Sequence, residues 1–347
     1  MNPAAPPHAA WNYTAPWWLP GGHAQTIWAS LFSRAGPDKD HTAVQYRRTR
    51  WDTPDGDFID LDWLTDPKAP TAGSNRPLLV LFHGLEGNSE GHYAQAFAQT
   101  AQAIGMDFVV PHFRGCSGEI NRAPRAYHSG DYVEIAWVLE RLRQAHTGPL
   151  YAVGISLGGN ALLRWAQESG HAARATAAAV CAVCAPLDLT ACGLHISHGF
   201  NHLIYGRRFL QTMKPKALQK WEQFPGLFDR EALLRARTVL DFDEVFTAPL
   251  HGFKGVLDYW SRASAKPQLG SLRLPALVVN ARNDPFVPGN SLPAPRDVAP
   301  YVQLWQPAQG GHVGFPSGAP PGHLGVLPTH ILNWCRNYPL LRIYGAN

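Results

Sequence analysis

No stretch of this chain reaches about 18 uninterrupted apolar residues, so nothing in it reads as a membrane-spanning helix. Met1 to Pro20 is rich in Pro and Trp but lacks a basic start and a continuous apolar centre, which argues against a secretory leader. Charge is scarce too. Asp, Glu, Lys and Arg make up 16%, the formal net charge is +4 and no long Lys/Arg run occurs, so a nucleic-acid partner is not implied. Cysteines number five, an odd and scattered set unlike a disulfide framework. Cys181-Ala-Val-Cys184 is formally C-x-x-C, yet it lies in the apolar run Ala177 to Ala185 and reads as small residues of a core strand. With no second Cys or His pair at ligand spacing, a zinc site is not expected. There are no internal repeats. A cytoplasmic protein without an integral membrane segment is the expectation.

What is present is a chain of 347 residues and 45% hydrophobic content, enough for one large α/β domain carrying an insertion. Residues 1 to about 40 read as an irregular, Trp-rich arm packing on the core. Val44 to Trp51 and Phe58 to Leu64 flank Asp55-Gly56, a hairpin signal. Pro67 to Pro77 reads as a polar loop, and Leu78 to Phe82 as a central strand. Strands at Phe108–Val110, before Ser156, at 177–184, at Leu274–Val279 and at Tyr301–Trp305 alternate with helices at Tyr93–Ala103, Val133–Arg143 and from Asn160. Alternation of this kind predicts a mostly parallel sheet. A last helix is expected near Leu324 to Arg336. Residues 188–266 show helical patterns without an apolar strand and include His195, His198, His202, Tyr205, Arg207, Arg208, Trp221 and Phe224. They read as a helical cap inserted into a core of residues 41–187 and 267–347.

The chemistry centres on Gly154-Ile155-Ser156-Leu157-Gly158, between an apolar strand and a helix. Strand, sharp turn and helix are what a nucleophilic serine needs, with glycines where neighbours must approach closely. Asp284 follows the strand through Val279, and His312 lies in the glycine-loosened Gly310-Gly311-His312-Val313-Gly314-Phe315 after the strand through Trp305. The order Ser156, Asp284, His312 is that of an α/β-hydrolase. A base must take the serine proton, and a carboxylate must hold the imidazole in one tautomer. Rivals are His323, His330, Asp241, Asp243 and Asp258, none directly after a core strand. Two N–H groups should hold the developing oxyanion. One is that of Leu157; the second is assigned to Leu85 in His83-Gly84-Leu85-Glu86-Gly87, although a shift of one residue also fits. Arg114 and His128 either line the site or lock loops, and Ser129 or Asp131 reads as an N-cap.

Those segments, with His112-Phe113-Arg114-Gly115-Cys116-Ser117-Gly118-Glu119, Tyr127-His128-Ser129-Gly130, Gly158-Gly159-Asn160 and Gly22-His23-Ala24-Gln25-Thr26, resemble the YheT-like α/β-hydrolases from about Trp18 to Trp334. This group is similar to the abhydrolase-domain lipases of eukaryotes. The resemblance implies an esterase that hydrolyses small-molecule esters, with Ser156, Asp284 and His312 as its triad and neither metal nor organic cofactor, while the apolar and aromatic content of the cap suggests an acyl chain of short to medium length. Two rival readings are an acyltransferase using the same acyl-enzyme and a non-catalytic binding protein on the same scaffold. The sequence leaves the oligomeric state open.

Overall fold

The structure, a computed structural model, describes residues 11–33, 44–65 and 75–343. Eight strands form one sheet, in the order β1-β2-β4-β3-β5-β6-β7-β8. They are β1 (Tyr46–Asp52), β2 (Phe58–Leu64), β3 (Leu78–Phe82), β4 (Asp107–Pro111), β5 (Leu150–Ile155), β6 (Ala179–Val183), β7 (Ala276–Val279) and β8 (Val302–Trp305). β2 runs antiparallel to both β1 and β4, while β3 to β8 are mutually parallel. The β1–β2 turn carries Gly56 at φ +76°, a left-handed conformation that suits glycine.

The apolar runs of β3 and β5 follow from two covered faces. Leu78, Val80 and Phe82 pack into one core layer with helices α3 (Tyr132–Ala145) and α4 (Leu157–Ser169). Leu79 and Leu81 pack into the other, with α2 (His92–Ala103) and the Val326–Ile343 helix. Burying each such side chain contributes about 1.5–3 kcal/mol. Between β6 and β7 the chain is helices and turns, the longest helix being Arg207–Gln223.

Two expectations need correction. The N-terminal segment is not irregular throughout, because α1 spans Gly21–Phe32 and buries Gln25, Thr26, Trp28 and Ala29. Its apolar signal is masked by Gly21-Gly22 and by Gln25 and Thr26, polar residues that are nonetheless buried. Asp131 precedes α3 but makes no capping bond. Its carboxylate takes the Arg125 guanidinium at 2.5 Å, a charged donor stronger than an orphan N–H. Ser129 caps nothing either; its carbonyl and hydroxyl oxygens accept from Asn160 Nδ2. Most of the Pro67–Pro77 loop lies outside the described residues.

Strand β2 and the residue just before it carry three buried carboxylates, Asp57, Asp60 and Asp62. Arg50 binds Asp60 through two 2.8 Å bonds, Arg48 binds Asp62 at 2.7 and 2.8 Å, and Arg114 reaches Asp57 at 2.7 Å. Burial pushes the Asp57 carboxyl up, but bonds from Asn121, the Arg122 N–H and Arg114 outweigh it and hold the group at about 2. Asp60 and Asp62 are likewise depressed against burial by their arginines and by Ser117, His112 and Ser89. A folded pKa below the unfolded value of about 3.9 gives stability that is complete above that value and is lost as pH falls through the folded one. Urea midpoints should therefore drop steeply from about pH 4 toward about pH 3, beyond the gentler decline that buried neutral histidines such as His83 begin below about pH 6.5. Asp62→Asn should be weaker at neutral pH with a shallower acid slope, and a midpoint indifferent to acid would contradict this.

Candidate active site

The carboxyl ends of β3, β5, β6, β7 and β8 lie side by side in the sheet, so the loops that follow them converge. Ser156 follows β5 directly at φ +51°, ψ −119°, a strained conformation costing on the order of 1–3 kcal/mol. The glycines around it answer to close approach. A Cβ on Gly154 would stand 2.4 Å from the Gly158 carbonyl oxygen, and one on Gly158 would stand 2.5 Å from those of Phe82 and His83. Side chains there would push α4 off the sheet and open the turn.

Ser156 Oγ lies 3.0 Å from His312 Nε2. His312 Nδ1 lies 2.9 and 3.1 Å from the two oxygens of Asp284, which is buried. Asp284 Oδ1 also accepts the Phe286 N–H at 2.7 Å, which fixes the carboxylate plane. The Phe286 ring stacks on the imidazole at 4.0 Å, Tyr205 packs edge-on against Phe286, and the histidine has little room to turn. The structure thus brings Ser156, Asp284 and His312 into one hydrogen-bonded row. The rivals are engaged elsewhere. His330 stacks on Trp11, Asp241 caps its own helix, Asp258 accepts the Lys254 N–H, and His323 accepts from Gly325. Asp243 borders the cleft but is bound by Thr247 and Trp260, and burial pushes it up to about 6.

The loop after β3 is fixed by a buried, neutral histidine. Burial above all, with the neighbouring His112 ring, holds His83 down at about 3. Its Nε2 accepts the Phe113 N–H at 3.0 Å, so Nδ1 carries the proton and donates to the Gly84 carbonyl at 2.8 Å. Along this loop the Gly84 N–H donates to Tyr93, that of Glu86 to Tyr127 and that of Gly87 to the Gly84 carbonyl. The Leu85 N–H has no protein acceptor among the described residues. Beside the serine, the Ser156 N–H is taken by Val183, and those of Gly159 and Asn160 return to the Ser156 carbonyl. The Leu157 N–H, at the start of α4, is likewise without a protein acceptor among the described residues.

Cys184 was read as a core filler, and the structure gives it more to do. It follows β6 at φ +49°, its thiol reaching the Gly311 carbonyl at 3.7 Å and accepting the Val313 N–H at 3.2 Å. The ligand atoms of Cys184, Asp284 and His312 lie within 4.8 Å of one another. They suit a metal poorly. Burial pushes the Cys184 thiol far up, whereas a metal needs the thiolate, and Asp284 is already committed to His312.

A cleft of about 1160 Å³, open mouth included, runs over Ser156 and His312. Its walls include Ile196, Phe209, Met213, Phe242, Phe246 and Trp260, all from between β6 and β7. None of the histidines, arginines or aromatics singled out there from sequence borders it; Tyr205 acts one layer back, on Phe286. Arg114 and His128 both reach the wall. Arg114 is nonetheless locked by Asp57 and by Glu134 at 2.6 Å, and His128 packs 4.4 Å from the His251 ring. Asn160 ties the wall together, donating to Ser129 and Ala263 and accepting the Ala265 N–H.

A family model for the alpha/beta hydrolase fold matches residues 77–319, and the chain belongs to that family. It is 38% identical over 323 residues to the Escherichia coli (strain K12) protein named "Putative esterase YheT", covering 91% of this chain and 90% of that one. It is 29% identical over 279 residues to mouse Phospholipase ABHD3, covering 79% of this chain and 67% of that protein. Among solved structures, alpha/beta hydrolase domain-containing protein 10 from mouse matches with a TM-score of 0.52 at 14% identity, over 84% of this chain and 99% of that one, a likeness of fold alone. Among the described residues no helix is long and apolar enough to cross a membrane.

Proposed function

We propose that this chain is a serine hydrolase that cleaves carboxylic esters through a covalent acyl-enzyme. The observation that carries this reading is the row Ser156–His312–Asp284, with the free Leu85 and Leu157 N–H groups beside the serine. Ser156 Oγ attacks the ester carbonyl carbon while its proton passes to His312 Nε2. Asp284 accepts from Nδ1 throughout and stabilises the imidazolium. The Leu85 and Leu157 N–H groups donate to the tetrahedral oxyanion. On collapse, the bond to the alkoxy oxygen breaks and His312 returns its proton to the leaving alcohol. Water, deprotonated by the same imidazole, then releases the acid and restores Ser156.

The segment 188–266 acts as a cap whose inner side is apolar, which suits an acyl chain of short to medium length. The five free, buried thiols fit a reducing compartment and support the cytoplasm. A fluorophosphonate probe should label the wild-type protein, with the adduct mapped by mass spectrometry to the peptide containing Ser156 and absent from Ser156→Ala. No adduct, or an adduct elsewhere, means that Ser156 is not the nucleophile.

A further inference from the structure

We infer that the N-terminal half of α1 is a brace that joins the acid and base loops, with Gln25 and Thr26 as positioning residues for hydrolysis. This rests on the roles proposed above for Ser156, Asp284 and His312. Gln25 is completely buried and Thr26 is 7% exposed, although nothing in their own helix requires polar side chains there. Every polar atom of the two is engaged. Gln25 Nε2 donates to the Leu19 carbonyl at 3.0 Å. Gln25 Oε1 accepts twice: from Asn283 Nδ2 at 3.0 Å, next to Asp284 in the loop after β7, and from the Gly310 N–H at 2.9 Å, in the loop after β8. Asn283 completes the link by accepting the Gly311 N–H at 3.0 Å. Thr26 holds the base residue itself. Its Oγ1 accepts the His312 N–H at 2.8 Å while its hydroxyl proton goes to the Gly22 carbonyl at 2.7 Å.

Three loop groups are thus fixed directly by two side chains, and a fourth, the Gly311 N–H, through Asn283, from a helix that precedes the whole sheet in sequence. The glycines show how tightly the parts meet. A Cβ on Gly22 would overlap the Asn283 carbonyl oxygen at 1.8 Å, one on Gly311 would stand 2.8 Å from Thr26 Oγ1, and one on Gly314 would stand 2.6 Å from the Gln25 carbonyl oxygen. The loops need this support because both lack regular structure beside the site, and the one after β8 is rich in glycine, with Gly310 at φ +147° and Gly311 at φ +64°. Left to themselves they would let the imidazole drift from Ser156. Misplacement of a reacting group by about 1 Å costs about 100-fold in rate.

The test compares Thr26→Val and Thr26→Ser in the full-length protein, with a soluble p-nitrophenyl ester and the fluorophosphonate probe. Valine keeps the shape and removes the acceptor. It should lower kcat by about 10–100-fold and slow labelling equally. KM should stay within about twofold and the melting temperature near wild type, since substrate contacts and core packing are intact. Serine should restore most of the rate. A second measurement guards against local unfolding. Gln25→Ala and Asn283→Ala share one set of loop bonds, so the double variant should lose no more rate than the worse single variant. If Thr26→Val labels and turns over at the wild-type rate, or if the Gln25 and Asn283 losses simply multiply, the brace is refuted. If wild type itself takes no label, the fault lies with the nucleophile assignment instead.

Discussion

Asparagine at position 284 should leave the protein folded and slow ester hydrolysis by about four orders of magnitude in kcat, the scale set by the wrong histidine tautomer. The direction follows from a bond outside the row. Asp284 Oδ1 is held by the Phe286 N–H at 2.7 Å, so in Asp284→Asn the amide oxygen must occupy that position. The NH2 group then falls at the Oδ2 position, 2.9 Å from His312 Nδ1, and donates to it. Nδ1 becomes an acceptor, the imidazole proton moves to Nε2, and Nε2 can no longer take the proton of Ser156 Oγ 3.0 Å away. KM should change little, because residue 284 does not border the cleft. Steady-state kinetics on a p-nitrophenyl ester, with a melting curve to show that the fold survives, decide the matter. A loss smaller than about tenfold would mean that Asp284 is not the partner that sets the tautomer.

The row was legible in the sequence because each member follows an apolar strand directly, and period and chain order survive without coordinates. Ser156, Asp284 and His312 needed only the expectation that β5, β7 and β8 are parallel and that their ends meet. The supports were less legible for a physical reason. Gln25 and Thr26 are buried polar residues whose partners, Asn283, Gly310 and His312, lie more than 250 positions away. No local pattern marks such a pair, and their polarity disguises the helix that carries them. Asp57, Asp60 and Asp62 escaped for the same reason: Asp60 and Asp62 alternate on β2 as acids of a solvent face would, whereas here all three bind arginines. Cys184 was hidden by its neighbours, since a thiol at the end of an apolar run looks like one more core residue. The cleft wall was not legible because, without the fold, composition cannot tell the inner side of the insertion from the outer one. The resemblance had pointed to Gly22-His23-Ala24-Gln25-Thr26 without giving it a role, and its hydrogen bonds now supply the brace inferred above.

Arg114→Met should be the most destabilising single change outside the row, costing about 3–5 kcal/mol, the range for stranding buried carboxylates. Methionine fills much of the volume, so the loss isolates charge from packing. The guanidinium bonds Asp57 at 2.7 Å and Glu134 at 2.6 Å, and both carboxylates are almost wholly buried. Asn121 and three backbone N–H groups still serve Asp57, but among the described residues Glu134 keeps no other bonded cation and already has one oxygen without a partner. Burial pushes the Glu134 carboxyl up even with Arg114 in place, so in the variant it rises further and takes a proton at neutral pH. A folded pKa above the unfolded one means stability is lost as pH rises through that window, so the deficit against wild type should be larger at about pH 8 than at about pH 6. Urea unfolding at both values measures it. Arg114→Lys should recover only part, because an ammonium cannot span both carboxylates as the planar fork does. Kinetics then separate the two roles open to this residue, which also reaches the cleft wall. If Arg114 locks the loop after β4, kcat/KM in the cold, where the variant stays folded, should lie within a few-fold of wild type. A large rise in KM at unchanged stability would instead make it a substrate-binding residue.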